Sequence, residues 1–236
     1  MVPKPYIARN TLCEQIYLHL REQILTGRIK QGEHLTELAI SRDANVSATP
    51  VREALRLLHG DGLVELNGRR GAKVIQPSDE EVSHAFAVRR ELERLALREA
   101  FSVLTAQDLV ELKALSDRMM ALDQGDTQAF FEADWDFHHF FVSRANNSWL
   151  DSFLASLKDF LQIVRNPNYK DTSPSKTAHE HLAVVEAILA GDIGEAERLL
   201  GVHIDRVCAD ILEQTRSKRR DKADAGPALV ASPRRA

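Results

Sequence analysis

The sequence, 236 residues long, predicts a mainly α-helical protein in two parts, a small helical head closed by a β-hairpin and an all-helical bundle behind it. Three observations carry that expectation. Two short amphipathic segments flank a turn within residues 35–62, and a Gly-rich, basic hairpin pattern comes next at 63–75. From Asp79 onward apolar residues recur only at helical spacing, without strand alternation.

Thr11 caps a first helix whose apolar positions Leu12, Ile16, Leu20 and Ile24 recur every four residues, and Gly27 ends it. Leu35, Leu38, Ile40 and Ala44 then form one apolar face, and Val51, Ala54, Leu55 and Leu58 the next. Asn45, tolerant of left-handed backbone, suits the turn between them. Ser47 or Thr49 can cap the second helix, and Pro50 is allowed in its first turn because that N–H has no helical partner. This is a helix-turn-helix pattern. Leu63-Val64-Glu65-Leu66 and Ala72-Lys73-Val74-Ile75 then read as two strands around Asn67-Gly68-Arg69-Arg70-Gly71, a wing.

A second helix of this kind enters the DNA major groove by its N-terminal residues, so Ser47, Ala48, Thr49 and Arg52 are expected to face DNA, with Arg52 the best base reader. Arg69, Arg70 and Lys73 would lie along phosphates or reach the minor groove and supply charge-driven affinity. The alternative for this segment is an ordinary helical hairpin whose Arg52 pairs with Asp61 or meets solvent.

Gln76-Pro77-Ser78 breaks the pattern and Ser78 can cap the next helix, which places a domain boundary there. The expected division is 1–77 for a DNA-binding head, 78–216 for an effector-binding and dimerising helical part, and 217–236 for a disordered tail. Helices are expected at roughly 79–103, 105–124, 126–145, 147–165, 175–190 and 192–216. Thr105, Asp126 and Asn147 start new helices, Asn166-Pro167-Asn168 opens a long loop, and Gly191-Asp192 makes a tight hairpin.

Charge obeys the same division. Lys and Arg outnumber Asp and Glu by 11 to 8 over 1–77 and by 6 to 2 over 217–236, whereas acids outnumber bases by 25 to 14 over 78–216. A basic head on an acidic body fits a nucleic-acid reader attached to a sensing part. No apolar run is long enough to span a membrane, and Met1 to Asn10 lacks the apolar centre of a signal peptide. Cys13 and Cys208 stand without metal or redox spacing, so a reducing cytoplasm is the expected compartment.

The chemistry of the bundle concentrates in Phe130 to Phe141. Asp134 and His138, four apart, share a helix face with Phe130, Phe131, Phe141 and Val142 and point inward. Asp136 and His139 fall on a polar stripe with Glu132 and Ser143 and are expected in solvent. His181 has Ala178, Val184, Val185 and Ile188 as face neighbours, and His203 has Leu199, Leu200 and Val207. Each lies about 16 Å along its helix from the Gly191-Asp192 turn, at ~1.5 Å per residue, so the hairpin brings them level. One carboxylate and three imidazoles on inward faces make a divalent-metal site with positions left for a ligand, or a hydrogen-bonded core without metal; spacing leaves both open. Arg89, in the stripe of Val82, Ala85, Phe86, Leu92 and Ala96, either clamps an effector carboxylate or pairs with an internal acid such as Asp134.

Leu12 to Ile75 resembles the winged helix-turn-helix of the GntR superfamily of bacterial transcription regulators. The likeness lies in Ile24-Leu25-Thr26-Gly27-Arg28-Ile29, Gly32-Glu33-His34-Leu35, Ser47-Ala48-Thr49-Pro50-Val51-Arg52-Glu53-Ala54-Leu55, Gly62-Leu63-Val64 and Arg70-Gly71-Ala72. Two positions depart from it: Ala48 stands where Arg or Lys is usual and Asn45 where Gly is usual, so operator preference does not transfer. The second part more loosely resembles the FCD ligand-binding domain of the FadR branch, and the two likenesses together cover about residues 12–214. The resemblance implies a winged helix-turn-helix leading into an all-α, FCD-like bundle. Many FCD domains hold a metal through a D-x-x-x-H pair and two later histidines, which here are Asp134, His138, His181 and His203. The implied protein is no enzyme but a homodimeric regulator of operator DNA, responding to a small organic acid beside a divalent ion such as Zn, Ni, Mn or Fe. The remaining readings are a metal-dependent helical enzyme, for which no further base or nucleophile emerges, and a regulator of the same kind without metal.

Overall fold

In the computed structural model, residues 11–68, 71–122, 127–165 and 174–224 are described. The head begins with α1 (Leu12–Leu25), started by a capping box in which Thr11 and Glu14 satisfy each other's backbone N–H. Ile16, Leu20 and Ile24 are buried as their spacing requires, while Leu12 is exposed. Then come β1 (His34–Leu35), α2 (Glu37–Ala44), α3 (Ala48–Gly60), β2 (Val64–Leu66) and β3 (Ala72–Val74). Asn45 ends α2 in the left-handed region at φ 52°. Ser47 occupies the N-cap position of α3 but makes no side-chain capping bond.

The expected apolar face of α2 holds only in part. Leu35 is buried and Ile40 half-buried, but Leu38 is 81 % exposed and Ala44 is exposed. An eight-residue helix has room to bury only the edge that meets α3, and position 38 lies off that edge. On α3, Val51, Ala54, Leu55 and Leu58 are all buried, each leucine contributing about 2 kcal/mol of burial.

The wing is a three-stranded antiparallel sheet in the order β1-β3-β2, with Val64 opposite Val74 and Leu35 opposite Ala72. Strand β1 was not part of the expected pattern, because two residues carry no alternation. Gly71 makes the close approach possible: its φ is 116°, and a Cβ there would sit 1.9 Å from the Leu35 carbonyl oxygen.

Six further helices lie among the described residues: α4 (Asp79–Phe101), α5 (Ala106–Ala121), α6 (Thr127–Ala145), α7 (Ser148–Arg165), α8 (Pro174–Leu189) and α9 (Ile193–Asp224). Capping boxes at Ser78/Glu81 and Thr105/Asp108 start α4 and α5. Gly191, at φ 77°, turns α8 back along α9, and α4 packs between α6 and α9. Helix α9 continues past residue 216, where a disordered tail was expected to begin, and reaches Asp224. Arg216 and Arg219 both pair with Asp79 at the start of α4, at 2.7 and 2.9 Å, which holds this polar extension against the bundle. The remainder of that tail, the loop opened by Asn166, and Asp126 lie outside the described residues. No described helix is long and apolar enough to cross a membrane.

Among the described residues the core forms two clusters. One gathers α1, α3 and the wing; the other gathers the six bundle helices around Phe86, Phe137, Phe141, Leu97, Leu200 and Ile204.

Candidate functional site

Helix α6 crosses the bundle with Ala133, Asp134, Phe137, His138 and Phe141 turned inward, the repeat of three and four that the sequence shows. The α8–α9 hairpin brings His181 and His203 to the same level. The four groups converge: one donor atom from each of Asp134, His138, His181 and His203 lies within 4.8 Å of the others, and all four residues are buried. His181 Nε2 is 3.1 Å from His203 Nε2, and Asp134 Oδ1 is 3.7 Å from both His138 Nε2 and His181 Nε2.

Each group is held from behind. Arg165, at the end of α7, donates from Nη1 to Asp134 Oδ2 at 2.5 Å. Glu93 Oε2 lies 2.5 Å from His138 Nδ1, and Arg89 donates from Nε to Glu93 Oε1 at 2.5 Å. His203 Nδ1 bonds Glu180 Oε2 at 2.8 Å, and Glu180 also accepts from Arg206. His181 Nδ1 meets the Met119 sulfur at 3.1 Å, and its ring stacks on Phe137. Two carboxylates thus set two imidazoles with Nε2 toward the centre, as outer partners do in metal sites.

The electrostatics arise from these neighbours. Burial pushes the His181 imidazole well below its ordinary pKa, and the charges of His203 and His138 add to that. Burial also lowers His203, against the pull of Glu180. Both therefore offer a neutral lone pair. Burial would depress His138 too, but Glu93 outweighs it and the pKa is raised. Asp134 lies well below the usual carboxylate range because Arg165 and the histidines overcome its desolvation. Glu93 falls to about 2, burial being outweighed by Arg89 and His138.

This donor set could hold a divalent cation, with the four groups, now within 4.8 Å of one another, drawing in on it. Two nitrogens at about 2.1 Å from one ion are separated by roughly 3.0–3.4 Å, and the His181–His203 distance falls in that interval. Asp134 Oδ1 and His138 Nε2 are buried without a hydrogen-bond partner and face the shared centre, an arrangement costly unless something positive bridges them.

Arg89 is buried as its stripe requires, but its acid partner is Glu93 and not Asp134. Asp134 takes Arg165 instead. Glu93 is absent from the apolar stripe expected around Arg89, yet Phe86, Arg89, Glu93, Ala96, Leu97 and Ala100 make one inward face. Glu180 and Arg165 were also missed. The signal for Arg165 was its place one turn after the buried Leu161; Glu180, adjacent to His181 in sequence, faces His203 on the neighbouring helix. Asp136 is exposed and His139 half-exposed, stacked on Trp135, as expected for the polar stripe.

On the head, Ser47, Ala48, Thr49 and Arg52 are exposed at the start of α3. Arg52 does not pair with Asp61, which instead accepts from the Tyr17 hydroxyl at 2.6 Å. It donates from Nε and Nη2 to both oxygens of Glu37 on α2, at 3.0 and 2.7 Å. Lys73 is half-buried on β3, across from Glu65 and His34. Arg69 and Arg70 lie outside the described residues.

Comparison with known proteins bears on both halves. Residues 12–74 match the family described as bacterial regulatory proteins, gntR family, and residues 84–206 match the FCD domain. An HTH-type transcriptional regulator of Paraburkholderia xenovorans, BphR, is 31% identical, with 86% of each chain covered. The HTH-type transcriptional repressor RspR of Escherichia coli is 29% identical, over 89% of this chain and 92% of its own. Among solved structures, a putative GntR transcriptional regulator from Rhodococcus sp. RHA1 superposes with a TM-score of 0.67 at 25% identity, covering 85% of this chain and 97% of its own.

Proposed function

Since the chain belongs to the GntR family of bacterial regulatory proteins and carries an FCD domain, we propose that it is a transcription regulator whose DNA binding answers to a small organic acid held in a metal-containing bundle. Its role is regulatory and not enzymatic, in keeping with its relatives. The observation that carries the effector reading is the convergence of Asp134, His138, His181 and His203 in one buried cluster.

In this reading residues 1–77 read operator DNA and 78–216 bind the effector and a second copy of the chain. Ser47, Thr49 and Arg52 enter the major groove, while Arg69, Arg70 and Lys73 hold phosphates. The Ser47 hydroxyl makes no capping bond, which leaves it available to DNA. Homodimerisation suits a helix-turn-helix reader, since two half-sites restore the specificity that one short helix lacks. Such a regulator works in the cytoplasm.

Asp134, His138, His181 and His203 would hold a Zn, Ni, Mn or Fe ion, whose Lewis acidity would anchor a carboxylate oxygen of the effector. The buried charges support an anionic ligand: Arg89 with Glu93 and Arg165 with Asp134 cancel in pairs, so a divalent ion that displaces the His138 proton on binding leaves net positive charge. Arg89 contributes to the effector through Glu93, which fixes His138, and not as a free clamp. The test is operator binding by purified protein as organic acids are added with and without Zn2+. Metal-dependent change in affinity with one class of acid is expected, and indifference to every acid with metal bound would refute the effector reading.

A further inference from the structure

The last turn of α7 belongs to both halves of the molecule. Leu161 and Val164 are buried in the bundle core, whereas Ile163 between them is buried in the core of the head, 1 % exposed, among α1, α3 and the wing. The Ile163 carbonyl accepts a 2.7 Å bond from the Gln31 side chain. One turn earlier, Asp159 accepts two bonds from Arg21 of α1, at 2.9 and 2.6 Å. One residue beyond Val164, Arg165 holds Asp134 Oδ2, and its guanidinium lies 4.8 Å from the Phe131 ring centre. This leaves Asp134 Oδ1 facing the imidazoles.

We infer that Arg165 is a positioning residue for the Asp134 cluster, and that the α7 turn from Asp159 to Arg165 is the strap through which the state of that cluster sets the seating of the DNA-binding head. The inference rests on reading the cluster as the sensing site. The physical warrant is a short covalent path: Arg165 and Ile163 are two residues apart on one helix, so fixing the first restrains the second. With Asp134 drawn onto a cation through Oδ1, Oδ2 stays on Arg165, the last turn of α7 is fixed, and Ile163 stays seated in the head. Coupling is reciprocal, so loosening the seat weakens cation binding by the same factor.

The test uses full-length protein, Zn2+ as the probe, and amide hydrogen exchange over residues 20–31 as the readout. In the wild type, Zn2+ is expected to slow exchange there by about fivefold or more. Arg21→Ala with Gln31→Ala, remote from the donors, should still bind Zn2+ by calorimetry, more weakly, while residues 20–31 no longer respond. Without metal, Arg165→Gln should speed exchange over 20–31 and Arg165→Lys should restore part of the protection, a pattern that general loosening would not give. Zn2+ bound by the wild type with no change over 20–31 overturns the strap, as does Arg165→Gln leaving that segment as protected as before. Failure of the wild type to bind Zn2+ refutes the metal reading instead, and the metal-free Arg165 comparison then decides the strap alone.

Discussion

Arg52 on α3 gives two of its donors to Glu37 on α2, so its guanidinium is held by a fork while Nη1 stays free of that pair. A fixed guanidinium loses less freedom on meeting a base than a solvated one. Arg52→Ala is therefore expected to reduce operator discrimination by about 1–3 kcal/mol. Glu37→Ala should reduce it by less, since the reader remains but its aim is lost. Binding to operator and random DNA across salt concentrations measures both, and full operator preference in Arg52→Ala would show that α3 docks otherwise.

Gly71 tests the wing. Its backbone is left-handed and its missing Cβ leaves room for the Leu35 carbonyl. Gly71→Ala should destabilise the head by about 2 kcal/mol or more and weaken DNA binding, with metal binding by the bundle retained. Equal stability in thermal denaturation would mean that the sheet rearranges freely there.

Much of this arrangement is legible in the chain. The helical period places Asp134 and His138 inward, the Gly191 turn puts His181 level with His203, and Asn45 announces the left-handed turn. What escapes is whatever depends on contacts between distant segments. Arg165 finds Asp134 across two helices, Glu37 finds Arg52 across the helix-turn-helix, and the two-residue β1 exists only because β3 lies beside it. Glu93 is a different case: its spacing from Phe86 and Ala100 marks it as inward, but its charge suggests solvent until Arg89 and His138 are seen to compensate it.

The Arg89–Glu93 pair should behave as a buried ion pair does. Arg89→Met leaves Glu93 in the core with His138 as its remaining charged neighbour and is expected to cost about 3 kcal/mol. Arg89→Met with Glu93→Met should recover most of that. Urea denaturation of the single and double variants gives the comparison, and equal losses would show that the pair does not act as a unit.

Acid should loosen the start of α5. Asp108 is held at about 2, below its ordinary 3.8, by the Thr105 side chain and Arg144, with the Thr105 backbone adding to them. A depressed carboxyl stabilises the fold fully above its unfolded value and loses that contribution as pH falls through the folded one. The difference in thermal midpoint between wild type and Asp108→Asn should therefore be constant above about pH 5 and shrink between about pH 4 and 2. A difference independent of pH over that window would mean that the carboxylate charge contributes nothing there.

Occupation of Asp134, His138, His181 and His203 by one divalent ion is tested most directly by metal content per chain, from mass spectrometry of protein loaded with metal and desalted, comparing wild type, His181→Ala and His139→Ala. His139 lies on the same helix as His138 but stacks on Trp135 at the bundle surface, away from the shared centre. About one ion per chain is expected in the wild type and in His139→Ala, and a large loss in His181→Ala with its helical content intact. Equal loss in both variants, or none in either, would contradict the shared site.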